Sequence, residues 1–331
     1  MRKLLLHIIF IFLSTKILWA QDPQFSQPYA NLLYLNPAFT GDTRINRFST
    51  TYRNQWSSIE KGFSSYIASF DHNERKVHSG FGGYLLYDQT GLNGFRATGI
   101  NLSYAYDAKI DRWSGIRGGL SLGYSFLNFN ESDLLFADQI IRDGAVTSIE
   151  GNLRDQTSYV DMGGGILYYN KFVWAGIAVN HINRPNISMM SVEERLPMKF
   201  SIHTGINIWN KRGQWGKELS SLNLVAHYKF QGDYDQLDLG VYYNMDPLVF
   251  GLWYRGLPLI KSYDEGYSNN ESVILLIGLD YKDKFRIGYS YDITISQLSM
   301  SSGGSHEISV IFEWPGNSKK SRLRRVACPK F

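Results

Sequence analysis

The sequence predicts an all-β protein, a transmembrane β-barrel of about fourteen antiparallel strands. Aromatic residues make up 15% of the 331 residues and include 22 Tyr, a content typical of membrane barrels with aromatic girdles. Mean hydropathy is −0.25, and after the N-terminus no apolar run approaches the roughly 20 residues of a helical span. Apolar and polar residues alternate along most of the chain instead. A closed barrel is the other structure that satisfies backbone polar groups in lipid.

Residues 1–20 have the pattern of a secretory signal peptide. Arg2 and Lys3 precede an apolar run, and Ala20 supplies the small residue expected before a cleavage site. No Cys stands directly after the apolar run, so we do not expect a lipid-anchored N-terminus. The pattern predicts export, and together with the barrel it predicts the outer membrane of a Gram-negative bacterium.

The next stretch, residues 21–47, is apolar but broken by Pro23, Pro28 and Pro37. Proline is poorly tolerated inside central strands, so we expect this stretch to lie outside the sheet, with one short helical turn. An apolar segment needs a surface to pack against. We therefore predict that it plugs the periplasmic side or the lumen of the barrel.

The barrel itself is predicted over residues 48–314, where runs with a period of two follow one another. In the run 284–294, for example, Phe285, Ile287 and Tyr289 share a face opposite Arg286 and Ser290. The last strand must pair with the first to remove the sheet edges. The fourteen predicted strands are 48–56, 63–72, 80–89, 95–110, 113–130, 158–170, 172–182, 197–210, 220–233, 235–245, 247–256, 272–281, 284–294 and 304–314.

The predicted connections differ in length. Short turns are expected near 110–112, 171, 245–247 and 282–283, and long connections over 131–157, 183–196, 257–271 and 295–303. Membrane barrels have short periplasmic turns and long extracellular loops, which predicts both termini on the periplasmic side. A soluble β-sandwich is the alternative. The signal peptide, the strand lengths and the lack of a domain boundary between 48 and 314 disfavour it.

The C-terminal residues 315–331 form a basic tail that we expect in the periplasm. Six of its residues are basic and none is acidic, and without the tail and the signal 25 basic residues remain against 30 acidic ones. The charge is therefore a property of the tail and does not indicate a nucleic-acid-binding surface. A solvated run and a docking segment both remain open. Cys328 is the single cysteine, so it forms no intramolecular disulfide. It is either an inert thiol or is bonded to a partner chain.

No pattern in the chain indicates an enzyme, a metal or a cofactor. His306 and Glu307 lack the second histidine of a zinc-protease helix, and Gly288 to Asp292 lack the second glycine of a nucleophile elbow. Polar faces with Arg255, Arg286, Asp292, His306 and Glu307 are predicted to point into the lumen. A salt-bridge network and a ligand site are the two interpretations, and we favour the network.

Several blocks along the chain resemble the PorP/SprF family. They are Asp22–Gln27 just after the signal, Asn36–Ala38 with Gly41, Tyr52–Trp56, Gly288–Asp292, Gly303–Ile308 and the ending Cys328–Phe331. The candidate partner-binding or structural positions are Asp22, Pro23, Phe25, Ser26, Gln27, Asn36, Pro37, Arg53, Gln55, Trp56, Asp292, Ser305, His306, Glu307, Arg324, Arg325 and Cys328.

The resemblance implies an outer-membrane component of the type IX secretion system of Bacteroidetes, with a fold similar to the fourteen-stranded fatty-acid-transporter barrels. It implies a role in carrying secreted proteins to the cell surface or holding them there, including adhesins with a C-terminal secretion domain that are used in gliding. The implied partners are membrane lipid, this cargo and other secretion components. A channel or transporter for hydrophobic small molecules on the same fold is the alternative.

Overall fold

The computed structural model describes residues 22–59, 62–91, 94–129, 141, 156–189, 193–212, 218–257, 269–281, 284–296 and 299–314. The predictions for the signal peptide 1–20 and the basic tail 315–331 fall outside these ranges. So do Arg324, Arg325 and Cys328, and most of the connections 131–157 and 257–271.

Fourteen antiparallel strands form one closed barrel. This confirms the predicted fold and strand count, and no strand end differs from its predicted position by more than two residues. The strands are β1 (Asn46–Gln55), β2 (Phe63–Glu74), β3 (Ser79–Thr90), β4 (Phe95–Lys109), β5 (Gly115–Asn128), β6 (Gln156–Tyr169), β7 (Val173–Asn180), β8 (Lys199–Arg212), β9 (Glu218–Gln231), β10 (Tyr234–Met245), β11 (Leu248–Gly256), β12 (Asn270–Tyr281), β13 (Phe285–Thr294) and β14 (Ser305–Trp314).

The barrel closes where β1 pairs with β14. The register runs from Asn46 opposite Trp314 to Gln55 opposite Ser305, which confirms the predicted pairing of first and last strands. Every other strand pairs with its neighbours along the chain. Because the sheet has no free edge, its backbone groups are satisfied within the barrel.

The alternation of side chains places polar residues inside and apolar residues outside. In β1, Arg47, Ser49 and Arg53 are buried, whereas Phe48 and Tyr52 are 41% and 37% exposed. The same alternation repeats in the other strands, with large aliphatic and aromatic side chains on the outer surface. An outer face of this kind is suited to lipid rather than to water.

The two ends of the barrel differ. At one end, here called the short-turn end, no connection between strands is longer than five residues. At the other, the long-loop end, lie the connections 129–155, 181–198, 257–269 and 295–304 together with shorter ones. A 3₁₀ turn, Ser299–Ser302, lies within the last of these.

Residues 22–43, here called the N-terminal segment, lie among inward-facing side chains from several sides of the barrel. The segment contains the helical turn α1 (Leu32–Leu35) and a 3₁₀ turn (Pro37–Phe39), as its prolines predicted. Tyr29, Leu35 and Phe39 form a buried apolar cluster with residues of β6, β7, β9–β12 and β14. Within the described ranges, no helix is long and apolar enough to cross a membrane.

Candidate functional site

The N-terminal segment is hydrogen-bonded to the last strand through Ser26 and Gln27. The Glu307 carboxylate accepts the backbone N–H of Ser26 at 2.6 Å and that of Gln27 at 2.9 Å. These two N–H groups are buried and have no strand partner, so they need an acceptor of this kind. Glu307 is fully buried and therefore serves as a built-in docking point for the segment.

Arg53 connects this docking point to both sides of the seam between β1 and β14. Its Nη1 donates to Ser26 Oγ at 2.6 Å and to Glu307 Oε2 at 3.2 Å, and its Nη2 donates to Asp292 Oδ2 at 2.9 Å. Ser26 Oγ in turn donates to Asp292 Oδ2 at 2.5 Å. Strands β1, β13 and β14 are thus linked through one residue of the segment.

A second arginine completes the set of charges. Arg255 of β11 donates to Asp238 at 3.0 Å and to Asp292 at 3.3 Å, and its Nη2 lies 3.4 Å from Ser26 Oγ. Buried charges are stable only when they are paired and hydrogen-bonded, and these meet that condition. We call Ser26, Arg53, Arg255, Asp292 and Glu307 the seam network.

Further hydrogen bonds continue along the same strands. Gln27 Nε2 donates to Ser290 Oγ at 3.2 Å and to the Glu307 carbonyl at 3.1 Å, while its Oε1 accepts from Ser309 Oγ at 2.6 Å. Asn31 Oδ1 accepts from Thr51 Oγ1 at 2.9 Å. The segment therefore follows the seam toward the short-turn end.

Midway through the barrel, the segment crosses to the opposite wall at Asn36 and Pro37. Asn36 Nδ2 donates to the carbonyls of Ile166 and Ile177 at 3.3 and 3.2 Å. A Cβ on Gly119 of β5 would lie 2.3 Å from the Ala38 nitrogen and 2.4 Å from the Pro37 carbonyl carbon. Only glycine allows the backbone of the segment to approach this strand so closely.

At the short-turn end the segment is held by a buried ion pair. Asp71 binds Arg47 at 2.8 Å and accepts the backbone N–H of Gly41 at 2.8 Å. Gly41 has a φ of +74°, a conformation that favours glycine. The chain turns here and leaves the lumen to begin β1.

At the long-loop end Asp22 forms the opposite anchor. The two oxygens of its carboxylate lie 3.1 and 3.0 Å from His181 Nε2, and Lys199 Nζ also binds this carboxylate. The other ring nitrogen of His181, Nδ1, lies 2.9 Å from Asp161 Oδ1. Burial raises the pKa of the Asp22 carboxyl. His181 and Lys199 lower this pKa by more than burial raises it, so it lies well below its ordinary value. Burial lowers the pKa of His181, whereas Asp22 and Asp161 raise it to about 9.

The remaining family-like positions lie nearby in the long-loop half. Phe25 packs edge-on against the Tyr34 ring at 5.6 Å, and the Pro23 carbonyl accepts from the Tyr34 hydroxyl at 2.7 Å. Gln55 ends β1 and Trp56 follows it, and Ser305 begins β14 opposite Gln55. The structure thus brings Ser26, Gln27, Arg53, Asp292 and Glu307 together around the seam, whereas Asn36 and Pro37 lie at the opposite wall.

The prediction for His306 was wrong. It faces outward, where its ring lies 4.9 Å from that of Tyr291 and its Nδ1 lies 2.7 Å from the Tyr289 hydroxyl. A step of one residue along a strand reverses the face, so His306 cannot share the lumen with Glu307. Arg286 does face inward, as predicted, but it pairs with Glu313 rather than with the seam network.

Sequence reasoning missed Asp22's partners His181 and Lys199, the Asp161 carboxylate that contacts His181, and also Asp238. His181 follows the end of β7 and Lys199 begins β8, so neither stands out by periodicity. Their link to Asp22 depends on which strands surround the lumen, and no local signal contains that information. Within the described ranges, no group of three or more His, Cys, Asp or Glu side chains is arranged to hold a metal ion.

A cavity of about 1260 Å³ opens above the N-terminal segment at the long-loop end. Asp22, Pro23 and Tyr34 of the segment form part of its floor. Its walls include inward-facing residues of β2–β6 and residues of the connection 181–198. Sequence reasoning did not anticipate this cavity, because its walls come from strands that are far apart in the chain.

A closed sheet with a polar lumen and an apolar outer face defines an outer-membrane β-barrel. Residues 18–312 match the family model described as "Type IX secretion system membrane protein PorP/SprF". The chain therefore belongs to this family, is located in the outer membrane and is a membrane component of type IX secretion. None of the curated proteins compared with the chain matches it.

Solved outer-membrane barrels are similar to the chain in fold alone. The toluene transporter TodX of P. putida has a TM-score of 0.48 and 11% identity over 85% of this chain and 93% of its own. The monoaromatic hydrocarbon channel CymD has a TM-score of 0.49 and 11% identity over 91% and 96%. Omp33 of Acinetobacter baumannii has a TM-score of 0.45 and 6% identity over 83% and 100%.

Proposed function

We propose that this barrel delivers secreted proteins to the cell surface or anchors them there. The cargo would be adhesin-like proteins with a C-terminal secretion domain, including those used in gliding. The observation that supports this best is the attachment of the N-terminal segment along the lumen, from Asp22 to Gly41. A barrel with its lumen occupied is suited to a platform for other proteins rather than to an open pore.

In this proposal the segment acts as a permanent plug. Its apolar side chains pack against Trp174, Tyr242 and Trp253, all buried within the described part of the barrel. Removing it would break buried hydrogen bonds at Glu307 and Asp71. A buried carboxylate left without its partners is costly, so spontaneous release of the segment would be rare.

The cargo-binding surface is proposed to lie at the long-loop end. Loops held on a rigid scaffold are the usual location of binding sites, and this end carries the long connections of the chain. Short periplasmic turns and long extracellular loops are the rule in such barrels. The surface would therefore face the outside of the cell, where the cargo arrives.

The basic tail 315–331 is proposed to contact a periplasmic or outer-membrane component of the secretion system. Strand β14 ends with Trp314 at the short-turn end, which is the periplasmic end under the same rule. Removal of residues 319–331 should abolish capture of this component while the barrel remains assembled. Normal capture and normal cargo export by the truncated protein would rule out the docking role.

The central test is affinity purification of the protein from its native outer membrane, with the bound proteins identified by mass spectrometry. We expect a secreted protein with a C-terminal secretion domain. A matched sample should carry a shortened 129–155 connection, which removes loop surface but leaves the strands intact. Loss of cargo only from this sample would support the loop surface, and absence of cargo from both would refute the proposed function.

A second candidate function is transport of hydrophobic small molecules. The observation in its favour is the cavity itself, whose walls include Leu86, Phe95 and Leu127. Transport requires a continuous path past the N-terminal segment, so solute uptake into vesicles that contain the intact protein would establish it. Neither role requires catalysis, and we propose no enzymatic activity.

A further inference from the structure

We propose that the cavity at the long-loop end binds a short polypeptide segment of the cargo in which basic side chains stand next to apolar ones. This inference rests on the proposed function and assigns a binding site to it. Size is the first reason. A volume of about 1260 Å³ exceeds the roughly 300–1,000 Å³ of most small-molecule pockets and is suited to several residues of a peptide.

The walls provide apolar surface for such a peptide. Trp56, Leu86, Phe95, Tyr159 and Ile187 all line the cavity and come from separate strands and loops. Aromatic and aliphatic walls of this kind bury apolar side chains favourably. They account for the apolar part of the ligand.

The charges lining the cavity favour a cationic ligand. Among the described residues its walls contain the carboxylates of Asp22, Asp88, Asp161, Glu193, Glu194, Glu271 and Asp292, against the cationic side chains of Arg53, Arg96 and Lys199 and the imidazole of His181. Several of these carboxylates already have a partner, such as Lys199 for Asp22 and Arg53 for Asp292.

Asp88 is a carboxylate on a strand of the wall that is available to bind a ligand. It accepts hydrogen bonds from the hydroxyls of Ser65 and Thr90, and no cationic side chain in the described part of the chain is paired with it. Tyr84 lies on the same face of β3, beyond Leu86, and also lines the cavity. A cavity wall that carries both a carboxylate and aromatic rings suits a lysine ammonium or an arginine guanidinium.

Two buried polar atoms provide an independent sign of a ligand. Asn101 and Ser272 line the cavity and are only 6% and 4% exposed. Within the described residues, Asn101 Oδ1 and Ser272 Oγ have no hydrogen-bond partner. Because an unpaired buried polar group is costly, backbone amides of a bound peptide are suitable partners for both.

The position of the last strand argues against the chain's own basic tail as the occupant. β14 ends with Trp314 at the short-turn end, whereas the cavity opens at the long-loop end, and the N-terminal segment lies between them. A segment from another protein that arrives at the long-loop end meets no such obstacle. Exported cargo is the polypeptide that the proposed function brings to this side.

The test uses the full-length protein in lipid nanodiscs and a fluorescent ten-residue peptide in which Lys alternates with Leu and Phe. We expect Asp88→Asn to weaken binding about tenfold, because it removes the charge that pairs with the lysine ammonium. Asp88→Glu should bind close to wild type, which separates loss of charge from misfolding. Glu74→Gln, at the end of β2 away from the cavity, is the matched control and should have no effect.

Unchanged binding by Asp88→Asn, or equal binding of a peptide with Glu in place of Lys, would overturn the proposal. So would binding of laurate in place of either peptide, which would favour the small-molecule role. Measuring the cargo retained on the cell surface separates the cavity site from the delivery role. If cells with wild type and with Asp88→Asn retain the same amount of cargo, the cavity site is refuted and the delivery role stands. If cells with wild type retain no cargo, the delivery role itself is refuted.

Discussion

The Arg53 guanidinium lies 3.2 Å from the Glu307 carboxylate, and the two residues are direct neighbours across the β1–β14 pair. Each also binds Ser26 of the N-terminal segment. The pair that closes the barrel is therefore also the pair that holds the segment. Closure of the barrel and docking of the segment depend on the same charges.

Loss of this carboxylate should destabilise the barrel strongly. We expect Glu307→Ala to lower the free energy of unfolding by about 3–5 kcal/mol, because it removes one of the two buried carboxylates that pair with Arg53 and also the acceptor of the Ser26 and Gln27 N–H groups. The urea midpoint of the protein refolded in lipid vesicles measures this. His306→Ala, one residue away on the outer face, is the control, and an equal effect of both substitutions would contradict the role of the seam network.

The close approach at Gly119 provides a second prediction. Gly119→Ala would place a Cβ within 2.4 Å of the backbone at Pro37, so the segment must shift, with an expected cost of about 1–3 kcal/mol. Faster protease cleavage within residues 22–43 would report the shift. At Gly118, a new Cβ meets nothing within 4 Å, and Gly118→Ala should behave as wild type. Equal protection of both variants would show that the contact is not required.

Conductance tests whether the segment occludes the lumen. Deletion of residues 22–41 should produce open single channels in planar bilayers, while the intact protein should remain nearly closed. The deletion removes the apolar side chains that fill the centre of the lumen. If the intact protein conducts as well as the deletion variant, the plug hypothesis is wrong.

The Asp22–His181 pair predicts that attachment of the N-terminal segment depends on pH. The raised pKa of His181, about 9 against an ordinary 6.5, stabilises the docked state fully below pH 6.5 and ceases to do so as the pH rises through 9. The lowered pKa of Asp22 stabilises it above the ordinary carboxyl pKa of 3.8 and ceases to do so as the pH falls through the lowered value. Attachment of the segment should therefore be strongest between about pH 4 and 6.5.

Hydrogen exchange of the backbone amides of residues 24–27 at pH 6 and pH 9.5, corrected for intrinsic rates, measures this dependence. Protection should fall at the higher pH in the wild type. In His181→Asn it should be lower at pH 6 and change little between the two values. A fall of the same size in the variant would assign the effect to other groups.

Much of the fold could be predicted because its signals are local. Alternation along Phe285, Ile287 and Tyr289 identifies a strand and its outer face without knowledge of its neighbours. The same rule, counted one residue wrongly, placed His306 in the lumen. Pairing of first and last strands followed from the need to remove sheet edges.

The sequence by itself determined the strands, their order around the barrel and the family-like blocks, because period, proline and composition act over a few residues. Only the tertiary structure decided that Ser26 meets Arg53 and Glu307, that Asp22 meets His181 and Lys199, and that a cavity opens above them. These contacts join residues more than 150 positions apart, apart from Ser26 and Arg53, whose separation is 27. They exist because closing the sheet brings its inner faces around one segment. Alternation along a strand contains no information about which residues lie on the opposite side of the lumen.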